Sequence, residues 1–167
     1  MTRGWDWPTP MRNRAVAVCL GMGHVQRFDH VGITVADLEG AVAFFVALGL
    51  EASGSQFVEG EFIDTVCGIP GSRTEIVGLN VPGGGTWLEV ARFVTPDHVP
   101  GLTDPPANQL GIRNVCFEVD DIEATVAAAV DLGYGLVGGI GEWEATWKMA
   151  YVRGPEGIVV SVSERIG

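Results

Sequence analysis

The chain has 167 residues, of which 47% are hydrophobic and 19% are charged. This composition is typical of a globular domain and excludes an intrinsically disordered chain, which carries fewer apolar residues and more charge. No apolar run reaches the roughly 18 residues that cross a bilayer, so we expect no membrane contact. The formal net charge of −11 argues against a nucleic-acid partner, because an acidic surface repels phosphates. It favours a cationic ligand or serves solubility alone.

Residues 1–27 differ from the rest of the chain. They hold four arginines against one acidic residue, Asp6, and a short apolar stretch, Ala15–Leu20. Three interpretations stay open: a signal peptide, an ordered arm lying on the acidic body, or an upstream start before the natural one. The apolar stretch is short and lacks a clear cleavage site, which disfavours secretion.

The three cysteines, Cys19, Cys67 and Cys116, are far apart in the sequence. None belongs to a CxxC pair, so neither a zinc knuckle nor a redox motif is present. We therefore expect free thiols in a cytoplasmic protein. Cys116 falls on an apolar strand and is predicted to lie in the core.

A sequence repeat sets the predicted architecture. His30–Leu50 aligns with Asn114–Tyr134, with nine of 21 positions identical. Each copy has the pattern of an alternating strand followed by a helix, which begins after an aspartate N-cap and ends at a glycine. The cap and end residues are Asp37 and Gly49 in the first copy and Asp121 and Gly133 in the second.

Each copy then continues into three further predicted strands. They lie at Glu51–Val58, Thr74–Val81 and Gly85–Ala91 in the first copy, and at Gly135–Gly141, Thr146–Arg153 and Gly157–Ser163 in the second. A short helical turn is predicted at Phe62–Val66, inside a loop. The sequence thus predicts an α+β fold made of two βαβββ modules, which pack together because one module alone leaves an apolar face open.

The prolines mark the boundary between the two modules. Four of the nine prolines fall in residues 95–110, and proline both removes a sheet donor and fixes φ. We therefore divide one structural domain into an N-terminal extension, a first module, a Pro-rich linker and a second module. Their predicted limits are 1–27, 28–94, 95–110 and 111–167.

Four segments resemble, in order, the vicinal oxygen chelate superfamily. They are FDHVGITVADLEGAVAFFVALGL, GGTWLEVARF, LGIRNVCFEVDDIEA and YVRGPEGIVVSV. That superfamily includes glyoxalase I, methylmalonyl-CoA epimerase, extradiol dioxygenases and bleomycin-resistance proteins. The resemblance covers residues 28–166 and implies paired modules that form a curled mixed sheet around a cavity. It specifies the fold more than the function, because this fold hosts several chemistries and a class that only binds.

The repeat and the resemblance select the same four positions: His30, Glu89, Asn114 and Ser161. In metal-dependent members, matching positions carry His or Gln, Glu, His and Glu. The first module keeps both ligands, whereas the second keeps neither. An imidazole and a carboxylate bind Zn, Ni, Mn or Fe ions well, whereas an amide oxygen is weaker and a hydroxyl weaker still. The resemblance therefore implies either one divalent metal ion held by His30, Glu89 and Asn114, or a metal-free polar pocket.

Two classes of function follow from the resemblance. The first is a glyoxalase-like lyase or isomerase acting on a small oxygenated metabolite, with Glu89 as general base. The second is a non-catalytic protein of the bleomycin-resistance type, which binds a small molecule, such as a cationic antibiotic, and needs no cofactor. The retained pair of His30 and Glu89 favours the enzyme, and the incomplete ligand set favours the binding protein.

The remaining site predictions concern the second module and the assembly. Asn114, Ser161, Trp147 and Tyr151 are predicted to bind the substrate. An extradiol dioxygenase is disfavoured, since its His, His and Glu pattern would need metal ligands at Asn114 and Ser161. The resemblance also implies a homodimer, because paired modules often complete their cavities across subunits.

Overall fold

The computed structural model describes residues 25–167, so most of the predicted N-terminal extension, with Cys19, lies outside the described residues. The first module contains β1 (His30–Thr34), α1 (Leu38–Ala47), β2 (Glu51–Glu59), α2 (Glu61–Cys67), β3 (Arg73–Asn80) and β4 (Trp87–Thr95). The second contains β5 (Val115–Val119), α3 (Ile122–Asp131), β6 (Gly135–Leu136), β7 (Gly141–Trp143), β8 (Trp147–Arg153), a 3₁₀ turn (Pro155–Gly157) and β9 (Val159–Arg165). Within residues 25–167, no helix has both the length and the apolar character needed to span a bilayer.

The two long helices begin and end as their sequences predict. The side chain of Asp37 accepts a hydrogen bond from the Gly40 amide, and that of Asp121 accepts one from the Ala124 amide. Each cap satisfies an amide that has no partner inside its helix. The chain leaves α1 through a glycine at φ 100° and leaves α3 through a glycine at φ 88°, a conformation that other residues adopt only with strain.

The strands form two mixed sheets that are not closed into a barrel. Sheet A, of the first module, has the order β1-β4-β3-β2, and sheet B, of the second, has the order β5-β9-β8-β6 with β7 also paired to β8. In each sheet the first strand runs parallel to the last strand of its module, and the other pairs are antiparallel. The predicted α+β fold with two βαβββ modules is confirmed.

The sequence repeat is also present in the strand register. Gly32 of β1 lies opposite Glu89 of β4, and Cys116 of β5 lies opposite Ser161 of β9. These are the same two pairs that the sequence alignment makes equivalent. The two modules therefore share hydrogen-bond register as well as element order.

One core joins the modules. Helix α1 packs on sheet A, α3 packs on sheet B, and the two helices pack on each other. Phe44 of α1 is fully buried and meets Tyr134 of the second module with ring centroids 4.9 Å apart. Burial of a side chain of this size contributes about 2 kcal/mol. Because both helices lie between the sheets, each sheet turns one face to the core and the other away from it.

Two of the local differences from the sequence prediction concern strands of the second module. The strand predicted at Gly135–Gly141 is two short pieces, β6 and β7, separated by a stretch that contains adjacent glycines, which weaken strands. Cys116 was predicted to lie in the core, which is wrong: its side chain is exposed. Its neighbours Val115 and Phe117 are apolar, but alternation along β5 turns Cys116 to the face opposite to theirs.

Candidate functional site

The outer face of sheet A carries the polar residues that the sequence selected in the first module. Val31, Leu88 and Val90 point into the core. Since side chains alternate along a strand, His30 and Glu89 point to the opposite face. They lie on neighbouring strands, because β1 pairs with β4 and places His30 opposite Trp87, two residues before Glu89. The structure therefore brings His30 and Glu89 to one face.

Glu89 lies between two glycines on the flanking strands. Gly32 is its register partner on β1 and Gly78 is its partner on β3. Neither neighbour has a side chain to cover the carboxylate, and Glu89 itself is half-buried. Within residues 25–167, no hydrogen bond or ion pair engages its carboxylate. Glu89 is thus free to meet a ligand or a metal ion.

His30 is held by two neighbours. Its Nδ1 atom lies 3.0 Å from Oδ2 of Asp29, and its ring packs on Trp87 with centroids 4.7 Å apart and planes tilted by 35°. The hydrogen bond with His30, helped by the nearby Arg27 guanidinium, lowers the pKa of Asp29. The side chain of His30 is 37% exposed, so its ring edge remains accessible.

A cavity of about 230 Å³ opens on this outer face. Asn80 and Trp87 pair across β3 and β4 and both line this cavity, and the next register pair on the same face is Gly78–Glu89. The cavity is lined by Ser53, Gly54, Gln56, Ile76, Gly78, Asn80 and Trp87. Gln56 and Asn80 were not among the site residues predicted from the sequence. The sequence feature that could have identified both is a side-chain amide at a position of the strand that points away from the core.

The outer face of sheet B has a different chemistry. Ser161 is only 2% exposed and lies between Cys116 on β5 and Tyr151 on β8. A second cavity, of about 350 Å³, is lined by Val137, Gly138, Gly139, Gly141, Met149, Ala150 and Tyr151. Of the predicted substrate-binding residues, Tyr151 therefore lines a cavity directly.

The other predicted residues of the second module lie nearby. Asn114 is half-buried and directly precedes β5. Trp147 is also half-buried and lies opposite Arg165 on β9. The Arg165 guanidinium carbon is 5.9 Å from the Trp147 ring centroid, so that ring already has a cationic neighbour. Trp147 is not among the residues that line the second cavity.

One chain therefore presents two half-sites. His30 and Glu89 belong to sheet A, whereas Asn114 and Ser161 belong to sheet B. The helices α1 and α3 pack between the sheets, so the two outer faces point away from each other. The structure joins the predicted residues pairwise, by module, and does not gather all four on one surface of one chain.

Three acidic residues approach one another elsewhere. Side-chain oxygens of Asp121, Glu123 and Glu164 lie within 4.8 Å of each other. Each already has a partner. Asp121 and Glu164 accept hydrogen bonds from amides of the first turn of α3, and Glu123 pairs with Lys148 of β8 at 2.7 Å. That ion pair lowers the pKa of Glu123 and raises the pKa of Lys148. We assign this cluster to helix capping.

The donor set at the His30 half-site fits two positions of a transition-metal site. An imidazole nitrogen and an unpaired carboxylate are ligands that such divalent ions prefer. His30 and Glu89 supply these two groups on adjacent strands and on the same face. The half-site of sheet B offers neutral groups at its matching positions and adds no negative charge there.

The comparisons with known proteins agree with this architecture. The model of the glyoxalase/bleomycin resistance protein/dioxygenase superfamily matches residues 29–151. The crystal structure of a glyoxalase family protein from Bacillus cereus is similar, with 34% identity over 89% of this chain and 99% of its own, and a TM-score of 0.83.

Two more distant structures share the fold. A glyoxalase/dioxygenase from Nostoc punctiforme is 17% identical over 90% of this chain and 99% of its own, with a TM-score of 0.62. A glyoxylase/bleomycin resistance protein/dioxygenase domain from Frankia sp. is 14% identical over 85% of this chain and 93% of its own, with a TM-score of 0.59. No curated protein gives a significant match. Since the family model spans most of the chain, the protein belongs to the glyoxalase/bleomycin resistance protein/dioxygenase superfamily.

Proposed function

We propose that this protein is a glyoxalase-like lyase or isomerase that moves a proton on a small oxygenated metabolite. The observation that carries the proposal is the free carboxylate of Glu89, placed between Gly32 and Gly78 on the same face as His30. A protein that only binds its ligand does not require a half-buried carboxylate without a partner, since leaving such a group uncompensated is unfavourable.

Glu89 is the proposed base. A carboxylate oxygen takes a proton from a carbon next to a carbonyl group and returns it to the same or a neighbouring carbon. The amides of Gln56 and Asn80 in the adjoining cavity hydrogen-bond the substrate oxygens and orient that carbon towards Glu89. A divalent Zn, Ni, Mn or Fe ion held by His30 and Glu89 supplies, when bound, positive charge that stabilises developing negative charge on oxygen.

We also propose a homodimer. The outer face of sheet A in one protomer is completed by the outer face of sheet B in the other, where Asn114, Trp147 and Tyr151 contact the substrate. The buried Ser161 lies beside Tyr151 on the neighbouring strand. The two open half-sites of each chain support this proposal. Further support comes from β1 and β5, which are edge strands of sheets A and B and each have one side without a partner strand among the described residues. Light scattering of the purified protein measures the assembly. A monomer at micromolar concentration contradicts the shared site.

Metal content of the purified protein, measured by mass spectrometry, tests the site itself. About one transition-metal ion per chain is expected, lost in both His30→Ala and Glu89→Ala because each removes one of two strong ligands. His98→Ala is the matched control, since His98 lies in the linker. No metal in the wild type, even after incubation with Zn, Ni, Mn and Fe salts, contradicts the metal-dependent form of the proposal.

Exchange of a carbon-bound proton with solvent tests the base. Nuclear magnetic resonance in heavy water follows this exchange in α-hydroxy carbonyl compounds. We expect the wild type to accelerate it and Glu89→Gln to slow it by about 10²- to 10⁴-fold, with Glu39→Gln, an exposed glutamate of α1, as control. Equal rates in wild type and Glu89→Gln exclude Glu89 as the base.

A non-catalytic binding protein is the second candidate. It is favoured by the cavity on sheet B, which is lined mainly by glycines and apolar residues, and by the net charge of −11. In that case cationic aromatic compounds raise the melting temperature without added metal, and they do so equally in Glu89→Gln. No such shift in a broad set of these compounds excludes this candidate.

A further inference from the structure

We infer that Asp29 is a positioning residue, which fixes the orientation of His30 and leaves Nε2 as the ring nitrogen available to a ligand. The role of Nε2 as a metal ligand rests on the proposed function, whereas the state of the His30 ring does not.

The hydrogen bond between Asp29 and His30 determines the tautomer. The Asp29 carboxylate can only accept, so the Nδ1 atom of His30, 3.0 Å away, is the donor. A neutral imidazole carries one N–H, and Nε2 then holds the free lone pair. Among residues 25–167, no hydrogen bond engages Nε2. The nitrogen with metal-binding capacity is therefore the one that Asp29 leaves free.

Asp29 is itself held in place by two other contacts. Its second carboxylate oxygen, Oδ1, accepts a hydrogen bond from Arg27 at 2.7 Å. Its backbone carbonyl accepts a hydrogen bond from the Thr86 hydroxyl at 2.8 Å. Thr86 directly precedes β4, so this bond ties the start of β1 to the start of the strand that carries Glu89. The aspartate is therefore anchored to the same pair of strands as the two proposed ligands.

Trp87 restricts the His30 ring from a second direction. The two rings are 4.7 Å apart at a tilt of 35°, so rotation of the imidazole about its Cβ–Cγ bond is hindered by the indole. The tryptophan limits the plane of the ring, and Asp29 decides which ring nitrogen lies on which side. A carboxylate on the distal nitrogen of a ligating histidine also raises the basicity of the ligating one, and loss of such a partner lowers metal affinity.

Nitrogen-15 spectra of the histidine rings in the metal-free, full-length chain test this inference directly. At a pH where His30 is neutral, we expect Nδ1 to carry the proton in the wild type. Asp29→Ala is expected to give a mixture of tautomers, and Asp29→Asn, which keeps an acceptor oxygen, an intermediate result. A wild-type ring with its proton on Nε2, or one unchanged in Asp29→Ala, overturns the inference.

The chain offers a matched control. Asp97 and His98 form the same kind of pair in the linker, with Nδ1 2.8 Å from Oδ1. Asp97→Ala is expected to change the ring spectrum of His98 and to leave that of His30 unchanged. If Asp97→Ala instead alters His30, the spectral change reflects the whole fold and the positioning role of Asp29 is rejected.

Zinc affinity, measured by titration calorimetry, separates this inference from the proposed function. If the wild type binds zinc, Asp29→Ala is expected to bind it about 10- to 100-fold more weakly, and Asp97→Ala as tightly as the wild type. Unchanged affinity in Asp29→Ala overturns the role of Asp29 towards the metal. Failure of the wild type to bind any metal overturns the proposed metal site, while the ring spectra still decide the tautomer.

Discussion

Glu156 of the second module accepts a hydrogen bond of 2.8 Å from the backbone amide of Asp37 in the first. Its two carboxylate oxygens also lie 2.8 and 2.9 Å from the amide nitrogen of Ala36. Both amides lie just before α1, where no intrahelical carbonyl reaches them and the helix dipole favours negative charge. Glu156 adopts φ 53°, a conformation that costs free energy in a residue other than glycine. This contact therefore joins the modules at the start of the helix that packs against both.

Substitution of Glu156 is expected to weaken this junction. Glu156→Ala loses every hydrogen bond to Ala36 and Asp37 and should lower the free energy of unfolding by about 1 kcal/mol. Glu156→Gln keeps one neutral acceptor and should lose less. Urea unfolding measures both, with Glu51→Gln, an exposed change in β2, as control. Equal stability of Glu156→Ala and wild type contradicts the role of this contact.

Gly154 permits close contact between the modules. A Cβ atom at this position would lie 2.5 Å from Cε1 of Phe44, which is fully buried. We expect Gly154→Ala to lower the free energy of unfolding by about 1–3 kcal/mol, because the ring has no room to move. The smaller side chain of Phe44→Leu should reduce the additional effect of Gly154→Ala in the double variant. Gly101→Ala is the control, because a Cβ atom at that position has nothing within 4 Å. If the losses of unfolding free energy in Gly154→Ala and Phe44→Leu simply add in the double variant, the proposed clash is excluded.

Asp64 should make the stability of the protein depend on acid. Its carboxylate accepts hydrogen bonds from the amides of Gly71 and Ser72, both at 2.8 Å, and these bonds lower its pKa below the usual 3.8. The contribution of the ionised Asp64 carboxylate to the free energy of unfolding is complete above pH 3.8. It is lost as the pH falls through the lower pKa that Asp64 has in the folded state. Asp64→Asn should therefore be less stable than the wild type at pH 7, and the difference should shrink in acid.

Unfolding in urea at several pH values measures this difference. Asp131→Asn, at an exposed residue near the end of α3, should match the wild type throughout. If the difference in free energy of unfolding between wild type and Asp64→Asn stays constant down to the lowest pH, the lost hydrogen bonds do not depend on ionisation of Asp64.

The stability of the turn between β7 and β8 can be raised by residues that suit its backbone conformation. Its two central residues, Glu144 and Ala145, both have positive φ, at 48° and 53°, and the Thr146 amide donates to the Trp143 carbonyl at 2.8 Å. These features are typical of a type I′ turn, which favours Asn-Gly. Replacing the pair with Asn-Gly should raise the free energy of unfolding by about 0.5–1 kcal/mol. A lower melting temperature in this variant contradicts that assignment.

The two modules were predictable because they depend on local patterns. Aspartate N-caps, terminal glycines and alternating strands act over a few residues, and the repeat showed them twice. The same repeat made His30 equivalent to Asn114 and Glu89 equivalent to Ser161, whereas their choice as site residues came from the resemblance to the vicinal oxygen chelate superfamily. The exposure of Cys116 was also encoded in the alternation of β5, but the apolar composition of that strand concealed it.

The tertiary structure decided which residues share a surface. The sequence repeat places four residues at equivalent points of the two modules: His30, Glu89, Asn114 and Ser161. Local sequence patterns do not specify how the two modules are oriented relative to each other. Packing of α1 against α3 sets that direction, since burying both apolar helix faces in one core turns the two outer sheet faces apart. Local sequence determined the modules and their polar positions, and the burial of apolar surface over long range divided those positions into two half-sites.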